Sequence, residues 1–115
     1  MKEYLFLFRG GDGSEIQHSP EKWKIHMDRW MEWMNELATK NQFVSAQPLT
    51  ATGMQITGIK KIVSDGPYLE GKEYVGGYLV CLAENYHAAV EIARDCPILE
   101  FEDGVVEIRE IKLQK

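Results

Sequence analysis

The stretch Ser64-Asp65-Gly66-Pro67-Tyr68-Leu69-Glu70-Gly71-Lys72-Glu73 runs directly into Tyr74-Val75-Gly76-Gly77-Tyr78-Leu79-Val80-Cys81-Leu82-Ala83. A carboxylate stands at the mouth of a Gly-Pro turn, and a two-glycine strand then enters an apolar run. Gly66-Pro67 fixes the backbone and lowers the cost of holding Asp65 in one place. Along the strand, Val75, Leu79, Cys81 and Ala83 alternate with Tyr78, Val80 and Leu82, so both faces are apolar. A strand apolar on both faces is covered on both.

Upstream, Tyr4 to Arg9 reads as a first strand ending in the turn Gly10-Gly11-Asp12-Gly13. It is apolar on both faces too, with Leu5 and Leu7 opposite Phe6 and Phe8. Ser19-Pro20 supplies an N-cap and a first-turn proline. The helix so opened runs to about Asn41. At roughly 100° per residue, Trp23, Met27, Trp30, Met31, Met34, Leu37 and Ala38 share one broad arc. Lys24, Asp28, Arg29, Glu32, Asn35 and Glu36 take the other side. A short strand, Phe43 to Ala46, stops at Pro48, and Met54 to Ser64 reads as a hairpin about Gly58. Downstream, Asn85 caps a second helix that presents Tyr86, Ala89, Val90 and Ala93 and stops at Cys96-Pro97. Asp103-Gly104 turns into a last strand, Val105 to Leu113.

The order β-α-β, hairpin, β-α-β predicts an α+β fold, the split βαβ arrangement of ferredoxin-like proteins with an extra hairpin, over one domain spanning 1–115. Two helices cover one face of such a sheet. Its second apolar face calls for a homodimer partner, or else a ligand or the chain's own loops. A net charge of −5 argues against nucleic acid as a partner. No apolar run approaches the ~20 residues that span a bilayer, so no membrane association is expected. The first nine residues are too short in apolar length for a signal peptide, and a cytoplasmic location is the expectation. Cys81 and Cys96 fall in apolar patterns and read as reduced core thiols.

The Asp65-Gly66-Pro67 run, with Tyr68 where phenylalanine is usual, resembles the signature of the DGPF family, the YCII-related small proteins. Ser19-Pro20-Glu21, Trp30-Met31 with Glu36-Leu37, Cys96-Pro97 and Val106-Glu107-Ile108-Arg109 extend that resemblance over essentially the whole chain. It implies a dimeric α+β barrel, two ferredoxin-like sheets packed face to face. That architecture carries lyases, isomerases, oxygenases and ligand-binding modules, so the fold does not name a reaction. Relatives in the YCII branch carry a histidine on the first helix near an aspartate, suggestive of an acid/base pair. Trp30 occupies that position here, and an indole does not exchange protons near neutral pH.

Asp65 and His26 are the candidate catalytic residues. Asp65 reads either as a general base desolvated by a cavity or as an Asx-turn residue bonded to backbone N–H groups. His26, one turn before Trp30, reads as a cavity-lining imidazole or as a helix histidine with a structural hydrogen bond. Trp30 and Trp33, with Tyr68, Gly66 and Pro67, are the candidate ligand-binding residues. Trp23, Trp30 and Trp33 among methionines form either a polarisable ligand wall or ordinary core. Gly10 to Gly13 lacks the spacing of a phosphate loop, and His18, His26 and His87 lack metal-ligand spacing, so neither metal nor cofactor is expected. Two functions stay open. One is a small homodimeric ligand-binding protein acting on an unknown small molecule by cofactor-free acid/base chemistry. The other, implied by the resemblance, is a non-catalytic sensor or accessory module of sigma-factor-type transcription regulation.

Overall fold

A computed structural model describes residues 1–66 and 74–113. The elements are β1 (Lys2–Arg9), α1 (Pro20–Thr39), β2 (Phe43–Pro48), β3 (Met54–Thr57), β4 (Ile62–Asp65), β5 (Val75–Ala83), α2 (Tyr86–Ala93) and β6 (Val105–Glu110), with a 3₁₀ turn over Pro97–Glu100. Four strands form one antiparallel sheet in the order β2-β5-β1-β6, while β3 and β4 pair separately as a hairpin. This is the ferredoxin-like arrangement with an added hairpin. β6 ends at Glu110, three residues before the sequence-based expectation.

The helix ends follow local chemistry. The Ser19 hydroxyl accepts from Lys22 N at 3.3 Å, and the Asn85 side chain accepts from Ala88 N at 2.8 Å. Each satisfies a first-turn donor that the helix itself leaves free. α1 stops where Asn41 turns to φ 59°, which lets Gln42 N reach Leu37 O at 2.8 Å. A left-handed asparagine in this place closes a helix as glycine does, because its short polar side chain tolerates that region.

One face of the sheet is covered by the helices. Tyr4, Phe6 and Phe8 of β1, with Leu79, Cys81 and Ala83 of β5, are buried there against Trp33, Leu37, Ala89 and Ala93. The opposite face carries Leu5, Leu7, Tyr78, Val80 and Leu82, all half-buried, and neither helix lies over it. Near its β6 edge Arg9 grips Glu107 through Nε at 2.9 Å and a terminal nitrogen at 2.6 Å. That grip, aided by Arg109, holds the Glu107 carboxyl below its ordinary range.

α1 meets the sheet in a different phase from the one its apolar residues suggest. The buried stripe is His26, Trp33 and Leu37, with Trp30 and Met34 half-buried, whereas Trp23, Met27 and Met31 are exposed. The helix is turned by roughly 70° from the centre of the expected arc. Specific contacts set this phase. Trp33 Nε1 donates to Ile92 O at 3.1 Å, Trp33 stacks on Phe6 at 6.4 Å, and Trp30 meets Phe8 edge-on at 5.0 Å. Methionines have no directional partner to gain by facing inward, so the aromatic contacts and the indole hydrogen bond decide.

Leu37→Ala should cost about 2–5 kcal/mol and Asn35→Ala less than about 0.5 kcal/mol in denaturant unfolding. Burial raises the thiols of Cys81 to about 11 and of Cys96 to about 12, against an ordinary 9.0. Both should therefore resist thiol reagents at pH 8 until the protein is unfolded. The unfolded thiols ionise near 9 while the folded ones hold their protons. Stability contributed by these groups is thus complete below pH 9 and declines as pH rises towards 11 and 12. A pH series of melting curves, with and without Cys→Ala at each site, checks this.

Candidate functional site

α1 crosses the 3₁₀ turn near its N-terminal end, and that crossing builds the most concentrated chemistry in the described chain. His26 is 5% exposed. Its Nδ1 lies 3.1 Å from Glu100 Oε1, and its Nε2 lies 3.0 Å from the indole nitrogen of Trp30, one helical turn on. An indole N–H only donates, so Nε2 presents its lone pair and the ring proton sits on Nδ1, donated to Glu100. Arg29 holds the second carboxylate oxygen of Glu100 at 3.0 Å. The imidazole ring packs on Phe101, with centroids 4.8 Å apart.

The turn can approach this closely because of two glycines. A Cβ on Gly11, at φ 53°, would lie 2.5 Å from Ile98 Cγ1, and one on Gly104 would run into the Ile98 carbonyl oxygen. The 3₁₀ turn is thereby pressed between the β1–α1 loop and the approach to β6, and Glu100 is delivered to His26.

Beside this chain of hydrogen bonds runs a groove of about 340 Å³, bordered by His26 and Glu100 and walled by Ile16, Ile25 and Phe101. Lys22 and Arg29 place two cations along it and Glu15 an anion. Apolar walls with a few fixed charges, two of each sign, suit a small molecule. A carboxylate bonded to Nδ1 orients an imidazole for proton transfer at Nε2. Here the Trp30 indole covers Nε2, so exchange of a proton there requires that N–H to be displaced.

Trp30 is half-buried and meets the groove's edge only through its bond to His26, and the other candidates lie apart from the groove. Trp33 is core, its N–H spent on Ile92 O. Asp65 is the last residue of β4 and exposed, on the hairpin rather than beside α1. Among the described residues, no hydrogen bond or ion pair joins Asp65 to His26 or Trp30. Gly66 is buried at φ 153°, its N–H donating to Gly53 O at 3.1 Å, and the Gln55 side chain lies 3.1 Å from where a Cβ would stand. Pro67 and Tyr68 lie outside the described residues. Glu100, Lys22, Arg29 and Phe101 were not picked out from the sequence as site residues. Glu100 is 74 positions from His26, and no local pattern connects them. Among the described residues, no group of His, Cys, Asp and Glu side chains converges as a metal site.

The YCII-related domain model matches residues 3–115. No curated protein matches the sequence. Among solved structures, the chain resembles 5-chloro-2-hydroxyhydroquinone dehydrochlorinase (TftG) from Burkholderia phenoliruptrix AC1100, determined in complex with 2,5-dihydroxybenzoquinone. The TM-score is 0.50 at 13% identity, over 95% of this chain and 93% of that one. At that identity the likeness is one of fold.

Long-range nitrogen–proton NMR of the neutral imidazole should show His26 as the Nδ1–H tautomer, and the Nε2–H tautomer would contradict the assigned hydrogen bonds. Gly104→Ala should cost ~2 kcal/mol or more by forcing Ile98 and the 3₁₀ turn away. The same variant should shift the His26 ring resonances as Glu100 withdraws.

Proposed function

The chain belongs to the YCII-related domain family, and from that premise we propose a homodimeric small-molecule-binding protein that transfers protons through His26 and Glu100. Its ligand is a planar acidic molecule, of the hydroxylated quinone or phenol class, seated in the groove along α1. The observation that carries this reading is the hydrogen-bonded chain Glu100–His26–Trp30 beside an apolar-walled groove that Lys22 borders. Lys22 matches an acidic ring substituent, Phe101 and the isoleucines match the ring, and Glu100, steadied by Arg29, orients the imidazole. A ligand hydroxyl that replaces the Trp30 N–H at Nε2 hands its proton to His26.

Dimerisation belongs to the same reading. Leu5, Leu7, Tyr78, Val80 and Leu82 share the sheet face that the helices leave open. Fully burying such a side chain is worth roughly 1.5–3 kcal/mol, so two copies of this face gain by meeting. A cytoplasmic setting fits the two buried free cysteines. A second reading, a non-catalytic sensor, is favoured by one fact: both nitrogens of His26 are already hydrogen-bonded. The sigma-factor-type regulatory role suggested by resemblance belongs to that reading.

2,5-Dihydroxybenzoquinone, the ligand of the TftG structure, is the first probe. It should quench tryptophan fluorescence saturably, and Lys22→Ala should weaken that binding. With a substrate of this class, His26→Asn should lower turnover by about 10²–10⁴ while leaving the fluorescence titration nearly unchanged. Binding without turnover of any such compound selects the sensor, and absence of saturable quenching defeats the ligand class. Val80→Lys should yield monomers or unfolded chains in sedimentation, and a stable wild-type monomer at micromolar concentration would defeat the dimer.

A further inference from the structure

We infer that the His26–Trp30 hydrogen bond is a pH switch: protonation of His26 breaks it and releases the Trp30 indole, while His26 stays anchored on Glu100. The switch follows from the direction of each bond. An indole N–H only donates, so Nε2 of His26 accepts it at 3.0 Å, and Nδ1 carries the ring proton towards Glu100 at 3.1 Å. In an imidazolium both nitrogens donate. A second proton on His26 therefore sets an Nε2–H against the indole N–H, two donors with no lone pair between them. Turning the imidazole over gives no relief, because either nitrogen then brings a proton to the indole.

The surroundings decide which ring gives way. His26 is 5% exposed and packs on Phe101 with centroids 4.8 Å apart. Its bond to Glu100 becomes an ion pair on protonation, and Arg29 holds the other oxygen of that carboxylate at 3.0 Å. Three further groups complete the charges around the ring: Lys22 and Arg29 from α1 and Glu15 from the loop before it border the same groove. Trp23 and Phe101 face it without charge. Trp30 is held less firmly. It is half-buried, and among the described residues its N–H has no partner besides His26. Its edge-on contacts with Phe8 at 5.0 Å and Trp33 at 5.8 Å do not use the N–H. A released indole N–H can turn to water, whereas a released imidazolium would abandon its counter-ion. Protonation thus leaves an unpaired donor on a ring that borders the groove, where water or a ligand oxygen can take it. The switch needs no ligand, so its test stands apart from the ligand class proposed above.

The ligand-free protein is followed by nitrogen–proton NMR from about pH 8 to about pH 5, the range over which histidines ordinarily titrate. The peak missing from Trp30→Phe identifies the Trp30 indole, and the imidazole signals missing from His26→Gln identify His26. The Trp30 N–H signal should shift with the same midpoint as the His26 ring. Its exchange with solvent should speed about tenfold relative to that of Trp33, the equivalent of one hydrogen bond. Trp33 is the internal reference because its N–H rests on the Ile92 carbonyl, which does not titrate. In His26→Gln, whose amide oxygen still accepts but takes no proton, the Trp30 signal should hold still. Glu100→Gln should lower both midpoints by about one pH unit, because the imidazolium loses its counter-ion. A Trp30 signal that stays constant while His26 titrates overturns the switch, as does one that moves equally in His26→Gln. Midpoints unmoved by Glu100→Gln, or unfolding before His26 takes its proton, overturn it as well. The wild-type titration alone decides should a variant fail to fold.

Discussion

The rest of the structure depends on the contact between the aromatic side chains of β1 and those of α1. Phe6 lies nearly parallel to Trp33, and Phe8 sits edge-on to both Trp30 and Trp33, at 5.0 and 6.2 Å. Each such pair is worth about 0.5–1.5 kcal/mol beyond the area it buries. More importantly, the pairs are directional. Rings tolerate only a few mutual orientations, so together with the Trp33–Ile92 hydrogen bond they fix the rotation of a 20-residue helix about its own axis. That rotation turns His26 inward and leaves Met27 and Met31 outside.

His26 then needs partners, since a buried polar ring without them costs on the order of 1–3 kcal/mol. The 3₁₀ turn supplies one and α1 itself the other. Two glycines allow the turn to approach, and Arg29 steadies the carboxylate that it carries. The histidine, its tautomer and the groove beside it are therefore consequences of one packing decision at the centre of the helix. The same arrangement places the Trp30 N–H on the free lone pair of His26 Nε2.

Part of the apolar surface left over falls on the open sheet face, on the outer edge of α1 and on the hairpin. Each of these patches is organised: the sheet face by strand alternation, the helix edge by its turn repeat, and the hairpin by cross-strand pairing. The two cysteines, by contrast, sit where burial suppresses their chemistry, at about 11 and about 12.

The element order, the caps at Ser19 and Asn85, the two-faced strands and the hairpin were all legible in the residues. These features depend on local backbone chemistry and on side-chain alternation, and both are written in consecutive positions. The helical phase was not legible, because a wide arc of tryptophan and methionine permits several rotations and only the rings of β1 choose among them. Of the candidate site, His26 and Trp30 were singled out from their places on the helix, but their hydrogen bond was not foreseen. Asp65 was favoured for its rigid turn, and that says nothing about what stands opposite it. Glu100 reads locally as the end of a turn after Cys96-Pro97. It meets His26 only because tertiary packing brings together positions 74 residues apart, and no short-range pattern encodes a contact made by the closing of the whole sheet.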